Sequence, residues 1–411
     1  MTIMTLPIES GDERWMTRAI QLARRGEGFV EPNPMVGCVI VASDDKDGML
    51  DVIGEGWHRT FGGPHAEIEA IRDARLHGKS TVGATAYVTL EPCCHFGKTP
   101  PCVPALLQAG IRRVVVAQRD PCDTVNGGGV AQLLAHRVDV SLGCLEEEAR
   151  ELNAPYLTRI EKKRPWVIAK WAMTLDGKIA TRTGSSDWVS SETSRQIVHR
   201  LRARSDAIFI GSRTATTDDP LLTVRLNQAT GDDDTVSYPH RKPLRVVFDA
   251  NGSLPPTSRL AQSAKEVGVL IAASRDALVV NETARQNAAL LAGCGCEILP
   301  LVGANHPDRM IELLRNLAER GITNLLVEGG GSLLGILFDL QLLDEIHVFI
   351  APKLIGGQEA TVPVSGVGVE RMCDAVVLNN PVFESSGTDI YCHGRMGRPV
   401  RASTSSCVVK S

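Results

Sequence analysis

A His-x-Glu pair and two distant cysteines constrain this chain more than any other feature. The pair is His65 and Glu67, and the cysteines are Cys93, which follows a proline, and Cys102. Side chains two residues apart in mid-helix point in nearly opposite directions, so His65 and Glu67 can converge only where a helix begins. The Gly-Gly-Pro segment before them predicts such a start. The alternating segment 85–90 predicts a strand that ends just before Cys93.

These residue types predict a catalytic zinc site. One imidazole and two thiolates supply three protein ligands and leave a fourth position for water, unlike the closed shell of a structural site. Zinc lowers the pKa of such a water to about 7. A carboxylate that is not a ligand then moves protons to the ring and to the departing amine. The pattern is typical of zinc-dependent nucleobase deaminases, with His65, Cys93 and Cys102 as ligands and Glu67 as the catalytic residue.

Two alternatives stay open at this point. A His-x-Glu pair is common by chance, and buried cysteines pack more often than they bind metal, although the helix start and the strand both agree with the motif. Cys94 competes with Cys93, and we favour Cys93 because it directly follows Pro92. The spacing also departs from the general signature, which has two residues between its cysteines. Here eight residues separate Cys93 from Cys102.

Composition narrows the classes of partner. A length of 411 residues predicts two or three domains. The formal net charge of -4 argues against a nucleic-acid surface. The eleven scattered cysteines do not form a disulfide framework, the first residues lack a signal peptide, and no apolar run approaches the ~20 residues of a membrane span. We expect a cytoplasmic homo-oligomer that binds small molecules and neither nucleic acid nor membrane.

The hydrophobic pattern divides the chain. Helices and strands over the first 145 residues or so predict one α/β unit, and a charge cluster before Pro165 predicts a boundary. From Trp166 onward, alternating strands and helices predict a mostly parallel sheet. The expected parts are a first domain at 1–148, a linker helix at 149–165, a second domain at 166–395 and a disordered tail at 396–411.

Motifs of the first half carry a family resemblance. In chain order they are NPMVGC, GEGWH, GGPHAE, TLEPCCHFGKTPPC and DPCDTVNGGG. They resemble the deaminase domain of bacterial bifunctional riboflavin-biosynthesis enzymes, which has a cytidine-deaminase-like three-layer α/β/α fold. The resemblance implies that Asn33 and His58 line the pyrimidine and ribosyl pocket, and that His95, Lys98 and Thr99 hold the substrate phosphate. A phosphate needs such donors, although an exposed lysine is also often just solvated.

One departure from the family lies at Cys122. The family has Asp-Pro-Asn-Pro where this chain has Asp120-Pro121-Cys122-Asp123. An expected ribose or phosphate contact is therefore missing, and Asn126 is an alternative donor.

The second half resembles the reductase domain of the same enzymes. The motifs are KWAMTLDGKIA, GSSDW, TATTDDPLLTVR, VEGGGSLLG and IAPKLIGG. The glycine run at 329–331 follows a predicted strand and opens a helix, so it can expose N–H groups to a phosphate, but it lacks the Rossmann fingerprint. The resemblance implies a dihydrofolate-reductase-like α/β fold, NADPH as hydride donor, and a phosphoribosylamino-pyrimidine reduced to a ribityl chain.

The resemblance also implies two sets of residues in this half. The cofactor would contact Ala172, Trp188, Thr214, Asp218, Gly330, Gly331, Ser332, Leu333, Leu334, Gly335 and Ile336. The substrate would face Lys170, Ser186, Arg202, Leu222, Arg225 and Glu328. Arg202 and Arg225 suit a phosphate because guanidinium binds it in a bidentate way.

The sequence thus predicts an enzyme with two consecutive activities. Zinc-dependent deamination of a 2,5-diamino-pyrimidinone phosphoribosyl compound would precede an NADPH-dependent reduction. One alternative keeps only one activity, with the Cys122 change weakening the deaminase. Another is a nucleic-acid binder with structural zinc, against which the acidic balance and the lack of a basic, aromatic stripe count.

Overall fold

The structure is a computed structural model that describes residues 5–42, 51–122, 125–186, 189–225 and 242–397. The chain forms two compact units, Met1–Arg164 and Pro165–Ser411. Within the described ranges, no helix combines the length and apolar character needed to cross a bilayer. Asp123, Trp188 and most of the predicted tail lie outside the described residues.

The described part of the first unit contains a five-stranded sheet in the order β2-β1-β3-β4-β5. Strand β1 is antiparallel to β2 and β3, and β3, β4 and β5 run parallel. The elements are α1 (Asp12–Ala23), a 3-10 turn (Arg24–Gly26), β1 (Gly37–Val41), β2 (Val52–Trp57), α2 (Ala66–Leu76), β3 (Thr85–Leu90), α3 (Cys102–Gln108), β4 (Arg113–Gln118), α4 (Gly128–Ala135), β5 (Asp139–Leu142), α5 (Glu146–Leu152) and α6 (Ala154–Lys162).

Helices cover both faces of this sheet because its central strands are apolar on both sides. In β1, Cys38 and Ile40 pack in one cluster with α2, α3 and α4. The alternate residues Val39 and Val41 pack in a second cluster with α1 and α5. Burial on both faces is typical of strands whose residues are apolar without alternation. The predicted three-layer α/β/α fold is confirmed.

Residues 146–162 form two helices of the first unit, α5 and α6, where the sequence predicts a linker helix at 149–165. Pro155 lies in the first turn of α6, and a proline cannot continue a preceding helix because it lacks an N–H group. The Asn153 side chain between the helices accepts from the Met35 amide at 2.8 Å and donates to the Met35 carbonyl at 2.9 Å. The Tyr156 hydroxyl donates to Asp120 at 2.9 Å. These contacts fix both helices to the unit.

The described part of the second unit contains a nine-stranded sheet in the order β10-β9-β8-β7-β11-β6-β12-β14-β13. Its elements are β6 (Trp166–Thr174), α7 (Glu192–Arg204), β7 (Ala207–Gly211), α8 (Ser212–Thr217), β8 (Leu244–Phe248), α9 (Arg259–Gln262), β9 (Val269–Ser274), α10 (Arg275–Val280), α11 (Glu282–Cys294), β10 (Glu297–Leu301), α12 (His306–Glu319), β11 (Asn324–Val327), α13 (Gly331–Asp339), β12 (Glu345–Ala351), a 3-10 turn (Met372–Asp374), β13 (Leu378–Ser386) and β14 (Asp389–Met396).

Seven strands of this sheet, from β10 to β12, are parallel, and a β13–β14 hairpin adds two antiparallel strands. The sequence pattern does not predict this hairpin. Pro381 interrupts β13 where the pairing register shifts between Asn379 and Val382, and a proline within a run argues against a regular strand. Most β13 residues are also exposed, so the strand lacks a strong apolar signal. The α/β fold predicted for this half is confirmed.

Candidate active sites

Three predicted ligands converge in the first unit. His65 immediately precedes α2 and has an extended backbone (φ -76, ψ 164). Its side chain therefore need not point away from that of Glu67, as it would if both residues were in mid-helix. Its Nδ1 lies 3.4 Å from Cys93 Sγ and 3.3 Å from Cys102 Sγ. The ligand atoms of the three residues all lie within 4.8 Å of one another. A soft thiolate pair with an imidazole is a donor set that suits zinc.

The other ring nitrogen of His65 contacts Thr99. The Thr99 Oγ1 lies 3.1 Å from His65 Nε2. Because Nδ1 faces both thiols, Nε2 would carry the proton when Nδ1 binds a metal, and it would then donate to the threonine hydroxyl. Such a bond fixes the tautomer and the orientation of a ligating imidazole.

The surroundings of the three ligands favour a thiolate at Cys93 beside the buried carboxyl group of Glu67. The hydrogen bonds from Cys102 and His65 lower the pKa of Cys93 to about 4, although burial opposes them. The hydrogen bond with Cys93 and burial both raise the pKa of Cys102. Glu67 is 3 % exposed, and burial, followed by the charge on Cys93, raises the pKa of its carboxyl group. A carboxyl group in this environment holds a proton more readily than one in water.

Asn33 and His58 lie beside the cluster. The His58 Nδ1 is 3.0 Å from the Pro64 carbonyl oxygen and therefore donates to it. The Nε2 is then an acceptor, and the Asn33 amide nitrogen lies 3.2 Å from it. Burial, with a smaller effect of His65, lowers the pKa of His58, which favours this neutral form. The rings of His58 and His65 contact edge to face at 5.4 Å.

The loop between the two cysteine ligands carries the other predicted substrate contacts. His95 and Lys98 are exposed, and Thr99 is half-buried. The Lys98 ammonium lies 3.8 Å from the centre of the Phe61 ring, a cation–π contact. The Lys98 side chain is therefore exposed to solvent and also contacts an aromatic ring.

Close packing around the loop between Cys93 and Cys102 explains two glycines of the run at 127–129. A Cβ on Gly129 would lie 2.0 Å from the Pro92 carbonyl oxygen, and one on Gly128 would lie 2.8 Å from Cys94 Sγ. Cys94 thus packs against this run and is not part of the three-ligand cluster. The buried Glu91 carboxylate accepts from the Gly127 and Val130 amides at 3.0 and 2.9 Å. The sequence does not predict this contact of Glu91 with the glycine run, and its available signal is an acidic residue directly after an apolar strand.

Cys122, where the sequence departs from the family motif, lies in a turn that Asp120 stabilises. The Cys122 amide donates to Asp120 Oδ1 at 3.0 Å, and burial raises the pKa of Asp120. The side chain of Asn126 is exposed.

The second unit has a cavity of about 820 Å³ at the carboxyl ends of β6, β7, β8 and β11. Ligands of parallel α/β sheets bind at this edge. The predicted residues that line it are Lys170, Ala172, Ser186, Arg202, Thr214, Asp218, Arg225, Glu328, Gly330, Gly331, Ser332, Leu333, Leu334 and Ile336. A volume of this size is typical of cofactor and ligand sites.

Two predicted contacts lie outside the lining set, and Trp188 lies outside the described residues. The Leu222 side chain is buried in a core cluster with Ile208 and Ile210, in a backbone with φ 50. A Cβ on Gly335 would lie 2.3 Å from the Ser365 carbonyl oxygen, so this glycine allows α13 to pack closely on a loop.

The glycine run at 329–331 forms a turn against Thr214. Gly329 and Gly330 have φ values of 147 and 78, and a Cβ on either would lie 3.2 or 3.3 Å from the Thr214 side chain. Glycine is suited to these positions because other residues rarely adopt such backbone angles. The run leads into α13, as the sequence predicts. Its backbone N–H groups and the polar Thr214 side chain fit a cofactor phosphate.

Arg202 and Glu328 form a bidentate ion pair at the cavity. The Arg202 Nε donates to Glu328 Oε1, and its Nη2 lies 2.9 Å from Oε2. Its Nη1 donates to the Thr223 carbonyl oxygen at 3.0 Å. All three guanidinium nitrogens are thus engaged within the protein, which makes Arg225 the better placed of the two arginines to bind a phosphate.

Lys170 lies on β6 at the same cavity. Burial lowers its pKa, while Glu328 opposes that effect. Ser186 Oγ lies 3.5 Å from Asp218 Oδ1. Several lining residues were not predicted, among them Arg195, His199, Asn251 and His306. A histidine on a helical face gives little signal in a sequence, because it is as often a surface residue as a site residue.

Comparison with known proteins also divides the chain into two parts, which correspond to the two compact units. Residues 9–118 match the cytidine and deoxycytidylate deaminase zinc-binding region, and residues 165–390 match the RibD C-terminal domain. The riboflavin biosynthesis protein RibD of Actinobacillus pleuropneumoniae is 40% identical over 380 residues, which are 92% of this chain and 94% of that protein. The chain belongs to the RibD family.

Two solved structures of the family are similar over nearly the whole chain. RibD from Acinetobacter baumannii has a TM-score of 0.76 at 34% identity, covering 94% of this chain and 99% of that one. A diaminohydroxyphosphoribosylaminopyrimidine deaminase/5-amino-6-(5-phosphoribosylamino)uracil reductase from Thermotoga maritima has a TM-score of 0.74 at 35% identity, with the same coverage. This RibD-family chain is therefore a riboflavin-biosynthesis enzyme with a hydrolase half that uses zinc and an oxidoreductase half that uses NADPH.

Proposed function

We propose that the chain deaminates 2,5-diamino-6-(5-phosphoribosylamino)pyrimidin-4(3H)-one and then reduces the ribosyl group of the product to a ribityl chain. The observation that carries the proposal is the buried Glu67 carboxyl group beside the His65, Cys93 and Cys102 cluster, in a chain whose other unit has a large cavity. The Thermotoga maritima relative is named for the same two activities, a deaminase and a reductase.

In the deamination, His65, Cys93 and Cys102 would hold zinc. When bound, zinc acts as a Lewis acid that makes water a nucleophile at neutral pH. Water adds to the ring carbon that bears the amino group, the C–N bond breaks, and ammonia leaves. Glu67 accepts a proton from water and delivers protons to the ring nitrogen and to the amine, which its raised pKa supports.

Substrate binding in this half would involve the neighbours of the cluster. Asn33 and His58 present an amide and a neutral imidazole, groups that can hydrogen-bond a pyrimidine and its ribosyl group. The cysteine loop presents His95 and Lys98 at the surface, where their N–H groups can donate to a phosphate. We assign Thr99 to the orientation of His65, because its hydroxyl contacts the imidazole.

In the reduction, the chain would orient two reactants. NADPH supplies the hydride, which adds to the sugar carbon bonded to the amino nitrogen. The bond from this carbon to the ring oxygen breaks, and the oxygen takes up a proton. The turn at Gly330, with Thr214 and Asp218, would hold the cofactor. Lys170, Ser186 and Glu328 would face the substrate, and Arg225 would bind its phosphate. Holding two reactants in line can supply a large part of a rate enhancement.

The cellular location, the absence of a nucleic-acid partner and the oligomeric state are proposals as well. Thiolate ligands suit a reducing compartment, so we propose a cytoplasmic location. The net charge of -4 supports the absence of a nucleic-acid partner, and a homo-oligomeric state stays a prediction.

One experiment separates the two activities. The zinc-loaded full chain should release one ammonia per diamino substrate without NADPH, and added NADPH should then be oxidised in equal amount. Ammonia release without NADPH oxidation, or oxidation only with pre-deaminated substrate, would mean that one activity alone is retained. Absence of both would refute the proposal.

A further inference from the structure

Residues 221–225 lead to the second-unit cavity without regular secondary structure. The segment carries Arg225, which lines the cavity, and Leu222, which has φ 50. Leucine rarely adopts this left-handed region, because its Cβ makes the conformation costly. The conformation of this segment must therefore be imposed by its surroundings.

Three side chains hold the backbone of this segment. Arg245 donates to the Leu221 carbonyl oxygen at 3.0 Å, and Arg202 donates to the Thr223 carbonyl oxygen at 3.0 Å. The Arg225 backbone N–H donates to His199 Nδ1 at 3.1 Å. Two carbonyl groups and one amide are thus satisfied by side chains from outside the segment.

The arginines are themselves fixed. Arg245 is fully buried and also donates to the Ser263 hydroxyl at 2.8 Å and the Ser263 carbonyl at 3.0 Å. Arg202 is fixed by Glu328. The two arginines therefore hold the backbone of the segment at Leu221 and Thr223, and the His199 contact is the one nearest to the Arg225 side chain.

The protonation state of His199 follows from this contact. An N–H group can donate only to an unprotonated Nδ1, so the ring is neutral and its remaining proton is on Nε2. Burial, followed by the charges of Arg202 and Arg225, lowers the pKa of His199 to about 4. The imidazole is thus a stable acceptor at neutral pH.

We propose that His199 is a positioning residue of the reductase half: its Nδ1 fixes the Arg225 backbone and thereby aims the Arg225 guanidinium at the substrate phosphate. The inference rests on the proposed function, since it takes Arg225 as the phosphate contact. It assigns to His199 a role in substrate affinity rather than in hydride transfer.

Replacements of different geometry test this role. His199→Ala removes the acceptor, whereas His199→Asn places an amide oxygen near the position of Nδ1. With saturating NADPH, His199→Ala should raise KM for the phosphorylated substrate about tenfold, the effect of one hydrogen bond, with kcat within about twofold. His199→Asn should recover most of the affinity. Arg200→Ala, an exposed neighbour on α7, is the matched control.

A double-mutant cycle separates this inference from the proposed function. Arg225→Ala should raise KM, and adding His199→Ala to it should have little further effect, because both act through one guanidinium. Additive effects, or a His199→Asn variant as impaired as His199→Ala, would overturn the positioning role. An Arg225→Ala variant with wild-type KM would instead overturn the phosphate assignment, and no reduction by the wild type would refute the proposed function.

Discussion

Removal of the Arg202 guanidinium should leave Glu328 as a buried carboxylate without its bidentate partner. The two side chains are only 12 % and 5 % exposed. Removing one partner of a buried pair costs about 3–5 kcal/mol. Lys170 also stabilises the charged carboxylate, so the loss should lie at the lower end of this range. We expect Arg202→Met to lower the free energy of unfolding by about 3 kcal/mol. Glu328→Gln keeps the shape and one acceptor but leaves the buried Arg202 guanidinium without a counter-charge, so the free energy of unfolding should also fall by about 3 kcal/mol.

The pH dependence of this loss has a definite sign. Burial alone would raise the pKa of Glu328, but the charge and hydrogen bonds of Arg202 lower it below its usual value. The pair therefore stabilises the fold fully above the unfolded pKa of about 4.3, and this contribution is lost as the pH falls through the folded pKa. In Arg202→Met, burial prevails and the carboxyl group protonates more easily. The difference in the free energy of unfolding between Arg202→Met and the wild type should therefore shrink from pH 7 to pH 4.

The assay must report on the second unit alone, because a two-unit chain need not unfold in one transition. Hydrogen exchange of peptides from β6 and β11, measured across a urea series, gives the free energy of unfolding of this sheet. The matched control is Arg200→Ala on the same helix. A loss below about 1 kcal/mol for Arg202→Met, or a loss that grows as the pH falls, would refute the reasoning.

Three further predictions concern the first unit. Cys102→Ser should deplete zinc, whereas Cys94→Ser should retain it, and metal analysis of the pair decides which thiols are ligands. Thr99→Val should weaken zinc binding about 10–100-fold in competition with a chelator, while Thr99→Ser should stay near wild type; equal affinities would contradict its orienting role. Gly129→Ala should lower the Tm of the unit because its Cβ would meet a carbonyl oxygen at 2.0 Å, and Gly97→Ala, with no atom within 4 Å, should not.

The sequence predicts the grouping of His65, Cys93 and Cys102 because the sequence signals for these residues are local. A helix start brings His65 and Glu67 together, and a strand end supplies Cys93. Both follow from residues within a few positions of the ligand. The parallel strands of the second unit are likewise marked by short apolar runs such as 324–327.

Other features depend on contacts between distant residues. Arg202 and Glu328 are 126 positions apart, and both types suit a substrate phosphate or a partner side chain, so the sequence alone does not reveal that they pair. Leu222 is implied to face the substrate, yet its side chain packs in a core with residues of β7, and its backbone has φ 50. His199 gains its role only through an amide 26 positions away.

The most direct test of the account is Glu67→Gln in the full chain, measured for zinc content and for ammonia release from the diamino substrate. We expect full zinc content, because Glu67 is not a ligand, and ammonia release reduced at least about 100-fold, because the variant cannot accept a proton. NADPH oxidation with the deaminated intermediate should persist. Loss of zinc from the variant, or ammonia release at the wild-type rate, would contradict the account.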